Sequence, residues 1–501
     1  MIIFFAASVI GQYKLFEKAG QPGWAAIVPF YSSFVMLKIT GKPIWWIVLF
    51  FLPIVNVLVS VALTIEFAKS YGKYKLKEHA AALLLPFYYY PKIGFDQETQ
   101  YLGPPDSHKS VPVKSGMREW GDAILFAGVA ALVIRTFFIE AFMIPTSSME
   151  RTLLAGDFLF VSKFQYGSRM PMIPLSVPFI HNKISLFGAT TPSYTDAIKL
   201  PYFRFPGLSK VERGDIVVFN YPAHDIHDLG DGAGFVEPIS MKENYIKRCV
   251  AVAGDTISIV NQQVHIDGVA SENPPNMQME YIVSTNQSGL TGKRVREKLH
   301  EMGFRQGPEN VKRRQGNWNY ADFRNAAFTF LMNGGIKEQV LALPSVQKAD
   351  SVNQPVGARV RTIYPFFRGK TFPPALNEDA NNLFAHNHDN FLPIWIPKKG
   401  ETIQLNTKNL IQYWRVIDIY EEKDIELKNG KVLIEGQETD SYTFEQDYYF
   451  MMGDNRHNSE DSRFWGFVPE NHVVGTPLLV FFSYESEFGI RWSRIGRKYV
   501  H

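Results

Sequence analysis

Residues 245–255 read Tyr245-Ile246-Lys247-Arg248-Cys249-Val250-Ala251-Val252-Ala253-Gly254-Asp255. Successive side chains of a strand point to opposite faces, so Lys247, Cys249 and Ala251 share one face. An ammonium among apolar neighbours is an odd placement unless its charge is suppressed. Lowering a lysine pKa from about 10.4 to about 8 costs roughly 3 kcal/mol, within reach of partial burial beside apolar groups. The stretch therefore predicts a β strand and, on it, a lysine available as a base.

The chain around it reads as β too. Asp215-Ile216-Val217-Val218-Phe219 is a short buried-type strand. Asp424 to Glu438 (DIELKNGKVLIEGQE) sets Asn429-Gly430 between two alternating runs, the strongest short hairpin signal. Thr256 to Asp267 (TISIVNQQVHID) looks similar, with Gln262-Gln263 at the turn. Residues 293–340 differ: Lys293 to Met302 and Tyr320 to Met332 have helical spacing, with Gly334-Gly335 as a stop. They read as an insertion within a β domain.

Upstream the character changes. Ile44 to Phe67 is a run of about 24 residues with one late charge, Glu66, long enough for roughly 30 Å of hydrocarbon. Met1 to Ile10, Trp24 to Leu37 and Ala80 to Tyr90 are shorter apolar stretches. The first lacks the basic flank and small-residue cleavage site of a secretory leader, so it reads as a membrane helix end or anchor. Ala123 to Ile139 is a further candidate span, with Trp120 near one interface and Arg135 snorkelling at the other. Lys69, Lys73, Lys75 and Lys77 after the long run, and Lys109, Lys114 and Arg118 before the last one, place both loops in the cytoplasm. Ala80 to Tyr90, broken by Pro86 and Pro91, then reads as re-entrant or interfacial, and everything beyond about Phe138 lies outside the cytoplasm. The domain plan is a membrane module over 1–97, a linker over 98–116, an anchor helix over 117–139, a β-rich domain over 140–486 with an insertion at about 272–407, and a basic tail over 487–501.

Composition closes other routes. A net charge of +3 over 501 residues gives no basic field for nucleic acid. Cys249 is the only cysteine, so there is no intramolecular disulfide, CxxC pair or thiolate cage, and it reads as a small buried core residue. His224, His227, Asp228 and Asp231, with His386, His388 and Asp389, have donor types that suit a metal, yet no evident helix fixes the first pair, so they read as solvated polar loops. Arg491, Arg494, Arg497 and Lys498 read as a solvated tail.

Behind the last apolar segment stands Ile144-Pro145-Thr146-Ser147-Ser148-Met149-Glu150-Arg151-Thr152-Leu153, a hydroxyl cluster at a membrane surface. A serine hydroxyl needs a base to take its proton. Three readings stay open on the residues alone: a neutral Lys247, a histidine such as His457 in the polar turn Gly453-Asp454-Asn455-Arg456-His457-Asn458-Ser459, or no catalysis at all.

The ordered boxes TSSMERTL, RGDIVVF, YIKRCVAVAGD and GDNRHNSEDSRFWG resemble those of bacterial type I signal peptidase, the membrane-bound Ser-Lys endopeptidase that removes signal peptides from exported proteins. The likeness covers about residues 137–162, 211–260 and 446–483. It implies Ser148 as nucleophile and Lys247 as general base, with an acyl-enzyme and no cofactor. It implies an oxyanion hole from Thr146 and the Ser148 backbone N–H, Ser459 positioning the lysine, and Asp461, Arg463 and Asp454 bracing the site. The implied fold is a mainly β catalytic domain of antiparallel sheets, partly sunk in the outer leaflet, behind N-terminal transmembrane helices. The implied setting is the periplasmic face of the inner membrane near the secretion translocon, where signal peptides bind as extended strands and are cut after Ala-x-Ala-like sites.

Four departures stand out. Thr146 replaces a commoner serine, Glu150-Arg151 stands where a less charged residue and proline are usual, and Val252-Ala253 replaces a frequent proline before Gly254-Asp255. About 190 residues separate Asp255 from the last box. Residues 1–97 fall outside the likeness; their FEKAGQPGW…GKPIWW pattern resembles small uncharacterised membrane modules. A self-cleaving repressor protease also pairs Ser with Lys but would carry a DNA-binding module, and a non-enzymatic membrane scaffold would not need Ser148, Lys247 and Ser459 intact.

Overall fold

The computed structural model describes residues 2–28, 30–50, 55–105, 130–174, 176–177, 183–186, 189–195, 197–222, 237–285, 311–313, 327–332, 334–343, 346–351, 353–354, 364, 372–376, 379, 383–384, 386–485 and 489–499. The chain divides into two compact units, residues 1–133 and 134–501.

The first unit is helical. Ile2–Lys18 packs along Pro86–Phe95, and the two approach closely because Gly11 and Gly94 carry no side chain. A Cβ on Gly11 would lie 2.2 Å from the Pro91 nitrogen, and one on Gly94 2.8 Å from the Gly11 carbonyl oxygen. Lys18 Nζ donates to the carbonyls of Ile93, Asp96 and Thr99, satisfying chain ends that the helix leaves open. The long apolar run is divided into Trp46–Leu49 and Val55–Lys69, with residues 51–54 outside the described set. Ala80 to Tyr90 forms two helices that meet at Leu85, as Pro86 requires of the residue before it. Pro91, expected to break the stretch, lies inside the second of them. Among the described residues no helix is long and apolar enough to cross a membrane. Most of the 98–116 linker and residues 117–129 of the expected anchor lie outside the described residues; residues 130–137 are helical.

The second unit is built from antiparallel sheets. Among the described residues its largest has eight strands in the order Ile139–Met143, Asp157–Ser162, Val473–Glu485, Ile216–Asn220, Asn244–Ala251, Tyr448–Met452 and Val468–Pro469, with Gly489–Ile490 added beside Val473–Glu485. Ile216–Asn220 and Tyr448–Met452 are buried at every position and, apart from the hydrogen-bonded Asn220, read as continuous rather than alternating apolar runs. A second sheet joins Phe391–Trp395, Thr256–Val260, Gln263–Ile266 and Val269–Ala270.

Turn chemistry sets these hairpins. Asn429 and Gly430 both have positive φ, 53° and 77°, as a two-residue hairpin turn demands. The neighbouring hairpin turns at Asn261-Gln262, with φ of 48° and 73°, one residue before the Gln262-Gln263 expected. Asparagine tolerates the left-handed region better than glutamine, and that places the turn.

The insertion departs most from its sequence reading. Ala327–Met332, expected as helix, is a strand in a four-stranded antiparallel sheet with Val311–Arg313, Met279–Thr285 and Val346–Ser351. Its Phe-Thr-Phe alternation suits a strand, and cross-strand pairing decides between the two periods. Gly334-Gly335 opens the helix Gly334–Leu341 instead of ending one. The segment Lys293 to Met302 lies outside the described residues, as do His224, His227, Asp228 and Asp231.

Candidate active site

Three pieces of chain meet at the site. The first is the Asn244–Ala251 strand, paired with Ile216–Asn220 on one side and, at its far end, with Tyr448–Met452 on the other. Lys247, Cys249 and Ala251 are all buried, so the apolar face does carry the lysine inward. Burial lowers the Lys247 ammonium to about 8; Asp461 and Glu460 pull it upward, and Arg463 adds to the lowering. Burial likewise pushes the Cys249 thiol well up, as befits a core thiol.

The second piece is the loop from Ile144 to Asp157. Met149 and Leu153 are completely buried and pack with Leu159, Val161, Ile216 and Val218, anchoring the loop from below. Ser148 immediately precedes Met149, and Lys247 Nζ donates to its Oγ at 2.7 Å, with both side chains buried. Thr146 Oγ1 lies 3.4 Å from Ser148 Oγ, on an exposed residue.

The third piece is the loop 453–461. Asn455 N–H donates to the Ser148 carbonyl at 3.1 Å, Asn455 Nδ2 to the Ser147 carbonyl at 3.1 Å, and Asn458 Nδ2 to Ser147 Oγ at 2.7 Å. Ser147 thus acts as a tether for the loop. Asp454, fully buried, accepts from Thr152 Oγ1 at 2.6 Å and from Arg248 Nε and Nη2 at 2.7 and 2.6 Å. One carboxylate therefore ties the serine loop to the lysine strand. Gly453 leaves room at the centre: a Cβ there would lie 2.2 Å from Ser459 Oγ and 2.5 Å from the Ser148 carbonyl oxygen.

Ser459 Oγ donates to Asp461 Oδ2 at 2.8 Å, and Gly453 N–H donates to the same oxygen at 3.1 Å. Arg463 Nε and Nη2 grip the Asp461 carboxylate at 2.9 and 2.8 Å. Burial works to raise the Asp461 carboxyl, but Arg463 and these hydrogen bonds hold it below its ordinary value. A charged, fully paired carboxylate near Lys247 moderates how far burial depresses the lysine.

His457 is drawn away from this chemistry. Its Nδ1 accepts from the Glu280 N–H at 3.0 Å, and its Nε2 lies 2.7 Å from Asp389 Oδ1, so both ring nitrogens are engaged elsewhere. Among the described residues no cluster of three His, Cys, Asp or Glu side chains is arranged to hold a metal, and His386 and Asp389 are buried and hydrogen-bonded where solvated loops were expected.

The C-terminal segment corrects the solvated-tail reading at Arg491 and Arg494, whereas Arg497 and Lys498 are exposed as that reading expects. Arg494 is buried, with Nη2 2.5 Å from Asp157 Oδ2, and it donates to the Thr152 carbonyl at 3.0 Å, which the Tyr499 hydroxyl also reaches at 2.7 Å. Asp157 in turn accepts from Leu154 N–H at 2.8 Å and from Ser483 Oγ at 2.7 Å. The serine loop is thus held from the end of the chain as well. Asn455, Asn458, Gly453 and Arg248 lie in quoted motifs, yet nothing in spacing alone told which carbonyl or carboxylate each would meet.

The site thus sets a serine hydroxyl against a buried amine of lowered basicity. The signal peptidase, peptidase S26 family matches residues 117–315 and 399–482, and the chain belongs to that family. It is a serine-type signal peptidase enzyme of the bacterial type I class. Signal peptidase I of Buchnera aphidicola from Acyrthosiphon pisum is 26% identical over 375 residues, 74% of this chain and 77% of the relative. Signal peptidase I of Helicobacter pylori is 24% identical over 359 residues, 71% of this chain and 79% of the relative. That of Rickettsia massiliae is 32% identical over a shorter 165 residues, 32% of this chain and 47% of the relative. Residues 24–104 match a separate family of unknown function.

Proposed function

We propose that the chain cleaves signal peptides from exported preproteins, with Ser148 as nucleophile and Lys247 as general base. The 2.7 Å contact between Lys247 Nζ and Ser148 Oγ, on a lysine whose burial brings it to about 8, carries this reading. In the neutral form the amine accepts the Ser148 proton as Oγ attacks the scissile carbonyl carbon. The oxyanion that forms takes hydrogen bonds from the Ser148 backbone N–H and the Thr146 hydroxyl. Lys247 then gives its proton to the leaving amine, and the acyl-enzyme remains on Ser148. Water, activated by the same neutral amine, adds to the ester carbonyl; the bond to Ser148 Oγ breaks, Oγ regains its proton from Lys247, and the signal peptide leaves with a new carboxylate. Ser459 acts through Asp461, and Asp454, Asp461 and Arg463 hold the two reacting side chains in register. No cofactor enters any step.

The substrate is read as an extended segment with small residues, Ala-x-Ala-like, before the cut. The setting is the inner membrane, with residues 1–97 and 117–139 as multi-pass membrane segments, the catalytic unit on the periplasmic side and the translocon nearby. The lipid surface would orient the enzyme and concentrate its substrate. Precursor cleavage by the purified protein tests the mechanism: Ser148→Ala and Lys247→Ala abolish it, and retained activity in either variant rules the dyad out.

A further inference from the structure

We propose that His457 is a positioning residue for the Ser148–Lys247 site, its ring completing a backbone ladder between the insertion and the loop 453–461. The proposal rests on the dyad reading above and extends it to residues that touch neither reacting group.

Gln278, just before the Met279–Thr285 strand, pairs in parallel with Asn455. Gln278 N–H donates to the Asp454 carbonyl at 2.8 Å, and Arg456 N–H donates to the Gln278 carbonyl at 2.9 Å. In a parallel ladder the next donor, Glu280 N–H, would turn to the Arg456 carbonyl. That carbonyl instead accepts from Arg463 Nη2 at 2.5 Å. His457 Nδ1 stands in for it, accepting the Glu280 N–H at 3.0 Å.

The tautomer follows from the contacts. With Nδ1 accepting, the ring proton sits on Nε2 and is donated to Asp389 Oδ1 at 2.7 Å. The His457 and Asp389 side chains are 7% and 2% exposed, so water does not readily replace either partner. Asp389 Oδ2 also accepts Gln354 N–H at 2.8 Å, which fixes the carboxylate from the insertion side. Histidine is suited to this place because one ring offers an acceptor and a donor on different edges.

The substitution has a consequence at the site. With the ring serving Glu280, the Arg456 carbonyl points to Arg463, whose guanidinium fastens that carbonyl and the Asp461 carboxylate together. Asp461 holds Gly453 N–H and the Ser459 hydroxyl. On either side of His457, Asn455 and Asn458 hold Ser147 and Ser148. The insertion strand thereby sets the height of the loop against the nucleophile.

The experiment compares His457→Phe, His457→Ala and His457→Asn in the full-length protein, with Lys247→Ala as reference, on a precursor bearing an Ala-x-Ala site. Phenylalanine and alanine remove the acceptor, whereas asparagine returns an acceptor close to the Nδ1 position. Phe and Ala are expected to lower kcat by about tenfold with KM little changed, because an unmet buried donor displaces the loop and not the substrate. Asparagine is expected to restore most of kcat, and the Glu280 amide to exchange faster with solvent in the Phe and Ala variants but not in the Asn variant. Unchanged kcat in both Phe and Ala variants overturns the proposal, as does an Asn variant no better than Ala. Activity surviving in Lys247→Ala would instead overturn the dyad reading, so the two failures are distinguishable.

Discussion

The two reacting side chains are held by opposite means. Lys247 stands on a regular strand, fixed by backbone ladders and pressed into apolar neighbours. Ser148 stands on an irregular loop fixed by side chains from distant parts of the chain: Asn455, Asn458 and Asp454 on one flank, and Arg494 and Tyr499 on the other. The lysine is therefore costly to keep but simple to place, whereas the serine is the reverse.

The largest effect expected tests the cost of the lysine. Lys247→Met should abolish precursor cleavage while making the folded protein more stable at pH 7. The folded-state pKa is about 8 against an ordinary value of 10.5, so the folded state binds fewer protons than the unfolded one between those two values. Stability therefore rises with pH across that window, and below pH 8 the full penalty is present, on the order of 3 kcal/mol. Denaturant titration at pH 7 should show the methionine variant gaining part of that amount, with the gain fading as pH approaches 10.5. A less stable variant at pH 7 would mean that the ammonium is not penalised. The same shift sets the pH–rate profile of the native enzyme: kcat/KM should climb through an apparent pKa near 8, since only the neutral amine takes the serine proton.

Next in size is Gly453→Ala, which strikes where the two pieces converge. The added methyl meets Ser459 Oγ and the Ser148 carbonyl at less than van der Waals distance, and the carbonyl, held by Asn455, cannot retreat without moving the nucleophile. Cleavage should fall by about a hundredfold or more, a misplacement cost of the kind that a shift of ~1 Å produces. Near-native kcat would show that the serine loop tolerates displacement and that the asparagine tethers are slack.

The contrast also accounts for what was legible in the sequence. Lys247 announced itself by alternation, a local property, and the hairpin at Asn429-Gly430 by turn chemistry. Ser148 needed the family resemblance, because no local rule links a hydroxyl cluster to a lysine 99 residues away. Asn455, Asn458 and Ser147 were in view, but their bonds cross some 300 residues of chain. Arg494 was misread because a short basic run looks solvated until Asp157 is found beneath it. Ala327–Met332 was misread because two phenylalanines flanking a threonine satisfy more than one period until partner strands are known.

The C-terminal clamp should show a smaller effect. Tyr499→Phe removes the hydroxyl's bond to the Thr152 carbonyl and the bond it accepts from Arg494 Nη2, leaving Arg494 on the same carbonyl oxygen. A loss of about 0.5–1.5 kcal/mol is expected in denaturant titration, with kcat reduced by no more than about tenfold. If kcat is unaffected while stability falls, the clamp supports the fold without reaching the nucleophile.

The finest test concerns Arg151, where a proline is usual in the family. Arg151 has φ of 70°, in the left-handed region, and a proline ring fixes φ near −65°. Restoring the usual residue with Arg151→Pro should therefore lower activity and stability instead of improving them. Arg151→Gly relieves the left-handed strain, on the order of 1 kcal/mol, against the extra entropy glycine brings to the unfolded chain. The two substitutions should accordingly move melting temperature in different directions or by clearly different amounts, glycine near neutral and proline well below. An Arg151→Pro variant as active and stable as the native chain would mean that the serine loop adopts the other backbone conformation, and that the tethers from Asn455 and Asn458, not the residue at 151, dictate its path.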